Sequence, residues 1–292
     1  MRAASTPSRR RLIINADDFG ISRGVNIGII EAARAGIVTS ASAMVNLPAF
    51  DDAMVRARST AGLSLGVHLN FTSGRPLTRA PSLTGRGGDF YGLPMLAVRA
   101  SLGLLSANDI HGESLAQIDR LVDTGFQPTH LDSHRHVHVH PAIFPTVCRV
   151  AASRGTRRVR IPREPMRLNA VDWRATLKKA GLLAATSRAH GRVDGAHHFF
   201  GISLQGASSF QDRLFALIPQ LPSGTSELMV HPGYSDVSLR EWDSYTGERE
   251  TELSVLCSPE FRDLLETCAV TLTNFADQGS ARPHESELGH HH

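Results

Sequence analysis

The chain has 292 residues, of which 41% are hydrophobic and 20% charged, a composition typical of a globular protein with one large core. Its net charge is only +3, and the arginine-rich runs at 9–11 and 154–163, the latter including Arg160, match no nucleic-acid-binding motif. We interpret both runs as solvated basic faces and expect no nucleic-acid partner. Three widely spaced cysteines form neither a disulfide framework nor a CxxC metal motif, and no apolar run approaches the roughly 20 residues of a membrane span, so a cytoplasmic location is expected.

Short apolar runs alternate with amphipathic patterns along the chain, which predicts βαβ units and a parallel sheet. Strands are predicted at 12–16, 37–45, 63–69, 159–161, 227–230 and 269–273, and residues 129–139 are predicted to carry a further strand and its exit. Helices are predicted at 23–35 after a Ser22 cap, and at 50–58, 108–124, 143–154, 170–190, 210–217 and 258–268. Residues 72–92 are rich in Gly, Pro, Ser and Thr and predict a long loop.

About seven strands without an obvious linker predict a single α/β domain, a distorted (β/α) barrel of about seven parallel strands. A doubly wound open sheet is the alternative, although no G-x-G-x-x-G or Walker A sequence supports nucleotide binding. The domain is expected over 12–277, between a disordered arm at 1–11 and a polar tail at 278–292 that ends in three tag-like histidines.

Four predicted strand ends carry ionisable side chains, and α/β folds place their functional groups at the carboxyl ends of strands. These ends carry Asp17 with Asp18, His68 with Asn70, the stretch 130–140, and His231. Adjacent carboxylates after an apolar strand repel each other and are costly to desolvate, so a nearby cation would stabilise them. An isolated Asp-Asp pair would be better interpreted as a helix N-cap, but the other clusters favour a metal site.

A histidine or an aspartate occurs at every second position of the segment 130–140 in the sequence HLDSHRHVHVHP. They are His130, Asp132, His134, His136, His138 and His140. If this stretch is extended, all six share one face. Because an open catalytic metal site takes about three protein ligands, most of the six must support the ligands, contact substrate or lie elsewhere. An adventitious metal-binding tract is the weaker alternative, since the run follows a strand.

The single histidines and one charged loop each have a second interpretation. His68 alone would suit a core histidine, and His231, which Pro-Gly follows, would suit a turn; their positions at strand ends favour a functional role. Arg163, next to Glu164 and between two prolines, either lines a polar pocket or lies at the surface. The two adjacent histidines at 197–198 either border a site or lie at the end of a helix.

Together these motifs resemble the YdjC-like carbohydrate deacetylases, the family of chitooligosaccharide deacetylase. The matching segments are LIINADDFGIS at 12–22, GIIEAARAGIVTSASAMVN at 28–46, GVHLN at 66–70, PTHLDSHRHVHVHP at 128–141 and MVHPG at 229–233. The resemblance covers about residues 12–275 and implies a distorted (β/α) barrel related to the polysaccharide deacetylases. Residues 79–110 have no recognisable counterpart in chitooligosaccharide deacetylase, so this segment is expected to shape the pocket and leaves the substrate open.

The resemblance implies one divalent metal ion, zinc or magnesium, held by Asp18, His68 and His134, with Asp17 as general base. The division of roles between the two aspartates rests on analogy. Amide cleavage also needs an acid for the leaving amine, and His231 is the candidate. The residues expected to contact substrate or to support the ligands are Asn70, Asp132, His136, His138 and Arg163.

The expected function is removal of an N-acetyl group from an N-acetylated saccharide or glycoconjugate, giving acetate and a free amine. A metal-dependent phosphoesterase or another amidohydrolase is the alternative, because Asp/His clusters on barrels serve those reactions too. The excess of histidine favours one metal ion over a two-metal phosphatase site. A non-catalytic sugar- or metal-binding protein is the third interpretation. The resemblance is also compatible with a homodimer.

Overall fold

The computed structural model of the chain describes residues 9–277 except 157, 166–180, 182–195, 197 and 207–208. The strands are β1 (Arg10–Phe19), β2 (Ser40–Ala43), β3 (Ser64–Leu69), β4 (Leu131–Ser133), β5 (His198–Phe200), β6 (Gly224–Val230) and β7 (Val270–Leu272). The helices are α1 (Arg23–Arg34), α2 (Phe50–Arg58), α3 (Leu93–Ser101), α4 (Ala107–Val122), α5 (Phe144–Ser153), α6 (Phe210–Leu217), α7 (Leu239–Trp242), α8 (Gly247–Leu256) and α9 (Pro259–Thr267). The predicted tail at 278–292, position 197, the arm over 1–8 and, apart from Gly181, the predicted helix at 170–190 lie outside the described residues.

The strands form one parallel sheet in the order β4-β3-β2-β1-β6-β5, with β7 also paired to β1. The amino-terminal part of β1 pairs with β7 at Arg10–Leu12, whereas its carboxyl-terminal part pairs with β2 from Asn15 onward. The other edge of β1 follows β6 from Arg10 to Ala16. The sheet is therefore a curled half-barrel of seven parallel strands with helices around it, which confirms the predicted fold class.

The central strand β1 is buried along almost its whole length, as a strand covered on both faces of a parallel sheet should be. It begins at Arg10, two residues earlier than predicted, and continues through Asp17 and Asp18 to Phe19. Ser22 caps α1 as predicted, because its hydroxyl accepts a hydrogen bond from Val25 N–H. The two carboxylates are thereby held inside the protein, at the end of its most buried strand.

The strand predicted within 129–139 is short, and the histidine run that follows it is not extended. β4 ends at Ser133, and His134–Val139 form a 3₁₀ helix in which Arg135 (φ 57°) and His136 (φ 56°) have left-handed backbone conformations. The Ser133 hydroxyl accepts from His138 N–H and also bonds the ring Nδ1 of His138, at 2.6 Å, which draws the chain into a turn. The alternating histidines therefore do not share one face.

Among the labelled strands and α-helices, four were not predicted: β5, α3, α7 and α8. α3, from within the segment 79–110 that was expected to shape the pocket, brings Leu93 to the carboxyl edge of the sheet, and α8 brings Arg249. The predicted strand at 159–161 exists only as a bridge between Val159 and Leu131. Over the part of the chain that the structure describes, no helix combines the length and hydropathy needed to cross a membrane.

Candidate active site

A cavity of about 410 Å³ opens at the carboxyl edge of the sheet. Six residues predicted from sequence line it: Asp17, Asp18, His68, His134, His136 and His231. They come from the ends of β1, β3, β4 and β6, because parallel strands bring their carboxyl ends to one edge. The remaining wall includes Leu93 of α3 and Asp243, Ser244 and Tyr245 from the segment before α8.

Asp18, His68 and His134 form a buried cluster on the cavity floor. Asp18 Oδ1 lies 2.9 Å from His134 Nδ1 and 3.3 Å from His68 Nε2. Asp18 has a positive φ of 65°, a left-handed conformation that is uncommon outside glycine and that asparagine and aspartate adopt more often than other residues do. The chain bears this local strain where it turns the carboxylate towards the two imidazoles.

The second nitrogen of His68 is fixed by Asp132, whose Oδ1 accepts from Nδ1–H at 2.8 Å. Burial lowers the pKa of His68, but the nearby carboxylates of Asp132 and Asp17 and the hydrogen bonds to Asp132 and Asp18 raise it to about 10. Both ring nitrogens thus face carboxylate oxygens, and only a proton or a metal cation on Nε2 can neutralise the contact with Asp18. A carboxylate behind a histidine is also the usual support of a metal-ligating imidazole.

The donor atoms of Asp18, His68 and His134 all lie within 4.8 Å of one another and fit a divalent cation. A second group with this spacing consists of Asp17, His68 and Asp132, but Arg160 already pairs with both of its carboxylates. The first group fits a cation better, because Arg249 engages only Oδ2 of Asp18 and leaves Oδ1 facing the two imidazoles. It is also the set that the sequence resemblance implied.

Arg160 is buried and holds three carboxylates, so its assignment to a solvated basic face is wrong. Its guanidinium donates to both oxygens of Asp17, at 2.6 and 2.7 Å. It also lies 2.8 Å from Asp132 and 2.7 Å from Glu227. The chain buries this arginine because the carboxylates around it would be too costly to desolvate without a cation.

Arg249 of α8 pairs with the other aspartate, Asp18, a role that no sequence pattern indicated. It is fully buried and lies 2.6 Å from Asp18 Oδ2 and 2.7 Å from Asp243 Oδ2. Burial by itself would raise the pKa of Asp18, but Arg249 and His134 hold it well below its usual range. Asp18 is therefore a carboxylate at neutral pH, as a metal ligand must be.

His231 lines the same cavity and follows directly after β6. Its backbone N–H donates to Glu252 Oε2 at 2.6 Å, and Glu252 Oε1 accepts from the hydroxyl of Tyr245. The His231 ring meets the Tyr245 ring edge-on, with centroids 5.5 Å apart. Burial lowers the pKa of His231 to about 4, so its ring is neutral at pH 7.

Comparison with known proteins identifies the family. A model of the YdjC-like protein family matches residues 11–267. The chain belongs to the YdjC-like family. Proteins named carbohydrate deacetylase from Geobacillus stearothermophilus (39% identity, 86% of this chain and 90% of the relative) and Brevibacillus brevis (37% identity, 92% and 100%) are similar to it. The crystal structure of an Enterococcus faecalis protein, described as a proposed cellobiose-phosphate cleavage protein, is also similar, with a TM-score of 0.74 and 26% sequence identity. The matched region covers 93% of this chain and 99% of the Enterococcus faecalis chain.

In this YdjC-like chain the other histidines of the 130–140 run have distinct surroundings. His138 donates from Nε2 to the Arg160 carbonyl at 2.8 Å, and His130 stacks on Phe275 with centroids 4.1 Å apart. Burial lowers the pKa of each of these two rings to about 4. His140 is half-buried and accepts from Ala142 N–H. Neither His130, His138 nor His140 lines the main cavity.

The predicted residues Asn70 and Arg163 also lie outside the lining of that cavity. Asn70 is buried in the turn after β3, where its side-chain oxygen accepts from Thr72 N–H and Ser73 N–H. Arg163 is half-buried. His136 does line the cavity and meets the ring of Phe199 edge-on at 6.0 Å.

Proposed function

We propose that this chain is a metal-dependent hydrolase that removes the N-acetyl group from an N-acetylated sugar and releases acetate and a free amine. One observation carries the proposal: a buried Asp-His-His cluster lies beside a second, separately neutralised aspartate on the floor of one cavity. Similar members of the YdjC-like family are named carbohydrate and chitooligosaccharide deacetylases, which supports this chemistry.

Asp18, His68 and His134 would hold the metal ion. A bound divalent cation supplies Lewis acidity, which polarises a carbonyl group and makes water a better nucleophile near neutral pH. Two imidazole nitrogens and one carboxylate oxygen suit zinc better than magnesium, which prefers oxygen ligands. Asp132 keeps the Nδ1 proton of His68 in place, so that Nε2 faces Asp18 and the cavity.

Asp17 is the general base in this proposal and takes a proton from the attacking water. Both of its oxygens are held by Arg160, and Asn15 donates to Oδ1 at 2.8 Å, so the carboxylate is fixed in one orientation. A carboxylate has about four acceptor positions, which leaves capacity for a water molecule on the cavity side. Fixing the base in advance lowers the entropic cost of proton transfer.

His231 is the proposed acid for the leaving amine. Its ring is neutral before reaction, since burial holds its pKa at about 4. Negative charge that develops on the attacked carbonyl oxygen favours the imidazolium form, so the ring would take up the proton that Asp17 removed from the attacking water and pass it to the amine nitrogen. His136 contacts the sugar from the cavity wall, whereas Asn70, His138 and Arg163 act only through the loops that they support.

The first test is acetate release from N-acetylglucosamine, diacetylchitobiose and related sugars with wild type, Asp17→Asn and Glu227→Gln. Asp17→Asn should lower kcat by about 10²–10⁴-fold, the usual contribution of a general base, while the stoichiometry of bound metal stays unchanged. Glu227→Gln is the matched control, because Glu227 is also a buried carboxylate held by Arg160 but does not line the cavity. It should retain most of the activity.

Melting temperatures of both variants separate a chemical effect from unfolding. Equal activity loss in the two variants would mean that Asp17 acts only as a partner of Arg160. Activity of Asp17→Asn near the wild-type level would remove Asp17 as the base.

A further inference from the structure

A second, smaller cavity of about 140 Å³ adjoins the main one. Leu93, Arg135 and His136 line both, so the two spaces are adjacent and meet at these residues. We call the smaller space the α3 groove, because residues of α3 form one of its walls. It lies against the 3₁₀ helix after β4, which contributes Arg135, His136, Val137 and Val139 to its lining.

The α3 groove has an apolar lining, in contrast to the main cavity. Its walls are formed by Leu96, Ala97 and Ala100 of α3 and by Val137, Val139 and Ile143 opposite. Only the shared Arg135 and His136, together with His140, bring polar groups to it. A sugar ring placed there would lose hydrogen bonds to water without replacing most of them, at a cost of about 1–3 kcal/mol for each unpaired hydroxyl.

An apolar group gains free energy in the same place, because it leaves water without losing any hydrogen bond. An apolar protein cavity of about 150 Å³ holds a molecule the size of benzene, so the α3 groove holds about six carbon atoms. The main cavity, with about 410 Å³ and carboxylate and imidazole walls, suits the sugar. The two spaces together therefore match a sugar that carries a short apolar substituent.

We propose that the α3 groove is a subsite for an apolar aglycone, an alkyl or aromatic group of about six carbons attached to the N-acetylated sugar. This inference rests on the proposed function and specifies its substrate class. It also assigns a purpose to α3, which belongs to the segment 79–110 that was expected to shape the pocket.

The test uses methyl, butyl, hexyl and decyl glycosides in two forms. Binding of the glucosamine glycosides is measured by calorimetry, which needs no turnover, and acetate release is measured from the N-acetylglucosamine glycosides. Affinity and kcat/KM should rise about two- to fourfold for each added methylene up to about six carbons and then level off, since further carbons lie outside the groove. Equal affinity and kcat/KM for methyl and hexyl glycosides would overturn the subsite.

Two variants at one position test whether the gain arises in the groove. Ala97→Glu places a charge at an exposed position of the lining and should abolish the gain from methyl to hexyl. Ala97→Leu adds no charge but fills space, so the gain should stop at a shorter chain. Val98→Glu is the control, because Val98 is the neighbouring residue on α3, is 52% exposed and does not line the groove.

Unfolding temperatures of the three variants should agree, because the substituted positions are exposed. If affinity and kcat/KM depended on chain length in the same way in Ala97→Glu and Val98→Glu, the proposal would be refuted. Chain-length-dependent binding without any acetate release would support the subsite and refute the deacetylase function. Acetate release with no dependence on chain length would support the deacetylase function and refute the subsite.

Discussion

Asp17 and Asp18 are adjacent in the chain, yet each is neutralised by a different arginine. Arg160 holds Asp17 and Arg249 holds Asp18, and all four side chains are buried. Removing one member of such a pair leaves an unpaired buried charge, which typically costs about 3–5 kcal/mol. The arginines thus make it possible for two neighbouring carboxylates to stay ionised inside the protein and to perform separate tasks.

At the same scale, His138 predicts how stability depends on pH. Its folded pKa is lowered by burial to about 4, below the ordinary value of 6.5, so the unfolded chain binds the proton more readily. This residue's contribution is therefore complete above pH 6.5 and is lost as the pH falls to about 4. We expect the stability lost in His138→Gln to be largest at pH 7 and to shrink towards pH 4.

The measurement is urea unfolding of wild type and His138→Gln at several pH values between 4 and 7. The difference between the two proteins isolates His138 from Glu227 and Glu252, whose pKa values burial raises to about 7 and whose contributions have the opposite sign. A difference that is constant across this range would contradict the role given to His138.

At the scale of elements, α1 packs against the segment that follows β6 with almost no space between the backbones. A Cβ on Gly28 would come within 2.6 Å of Gly233 Cα. Asp236 Oδ2 accepts from Gly24 N–H at 2.6 Å, and Gly24 O accepts from Tyr234 N–H at 3.1 Å. The same segment begins at His231, so the position of α1 determines where that ring lies.

We therefore expect Gly28→Ala to destabilise the protein by about 1–3 kcal/mol, as overpacking usually does, and to lower kcat/KM by displacing His231. Gly112→Ala is the matched control, because Gly112 also lies within a helix but a Cβ there would meet nothing within 4 Å. That substitution should stabilise the protein by about 0.5–1 kcal/mol. Chemical unfolding and acetate release measure both effects, and identical behaviour of the two variants would exclude the close contact as the cause.

At the scale of the whole molecule, the proposed metal ligands join β1, β3 and the turn after β4, which are far apart in the chain. A ligand that binds only the folded state raises the free energy of unfolding by about 2.7 kcal/mol at a concentration of 100 times Kd. We expect zinc to raise the melting temperature of chelator-treated protein and His134→Asn to abolish most of that shift. His140→Asn, in the same histidine run but outside the cluster, should keep it. A similar shift in both variants would place the metal elsewhere.

The sequence by itself determined the sheet and most of the cavity floor. Alternating apolar runs and helical patterns predicted parallel strands, and parallel strands bring their carboxyl ends to one edge, so Asp17, Asp18, His68 and His231 were expected to meet. His134 was added by the resemblance to the YdjC-like family. These inferences needed only local patterns and one general property of α/β folds.

Only the tertiary structure decided which other groups complete the site. Arg160 lies 143 positions from Asp17 and Arg249 lies 231 positions from Asp18, both within charged segments that are typical of a solvated surface. The conformation of the histidine run could not be predicted from its alternating pattern either. A hydrogen bond between Ser133 and His138 draws this segment into a turn instead of an extended strand. Sequence periodicity predicts which face a residue occupies within an element, but buried ion pairs and turns depend on which elements the fold brings together.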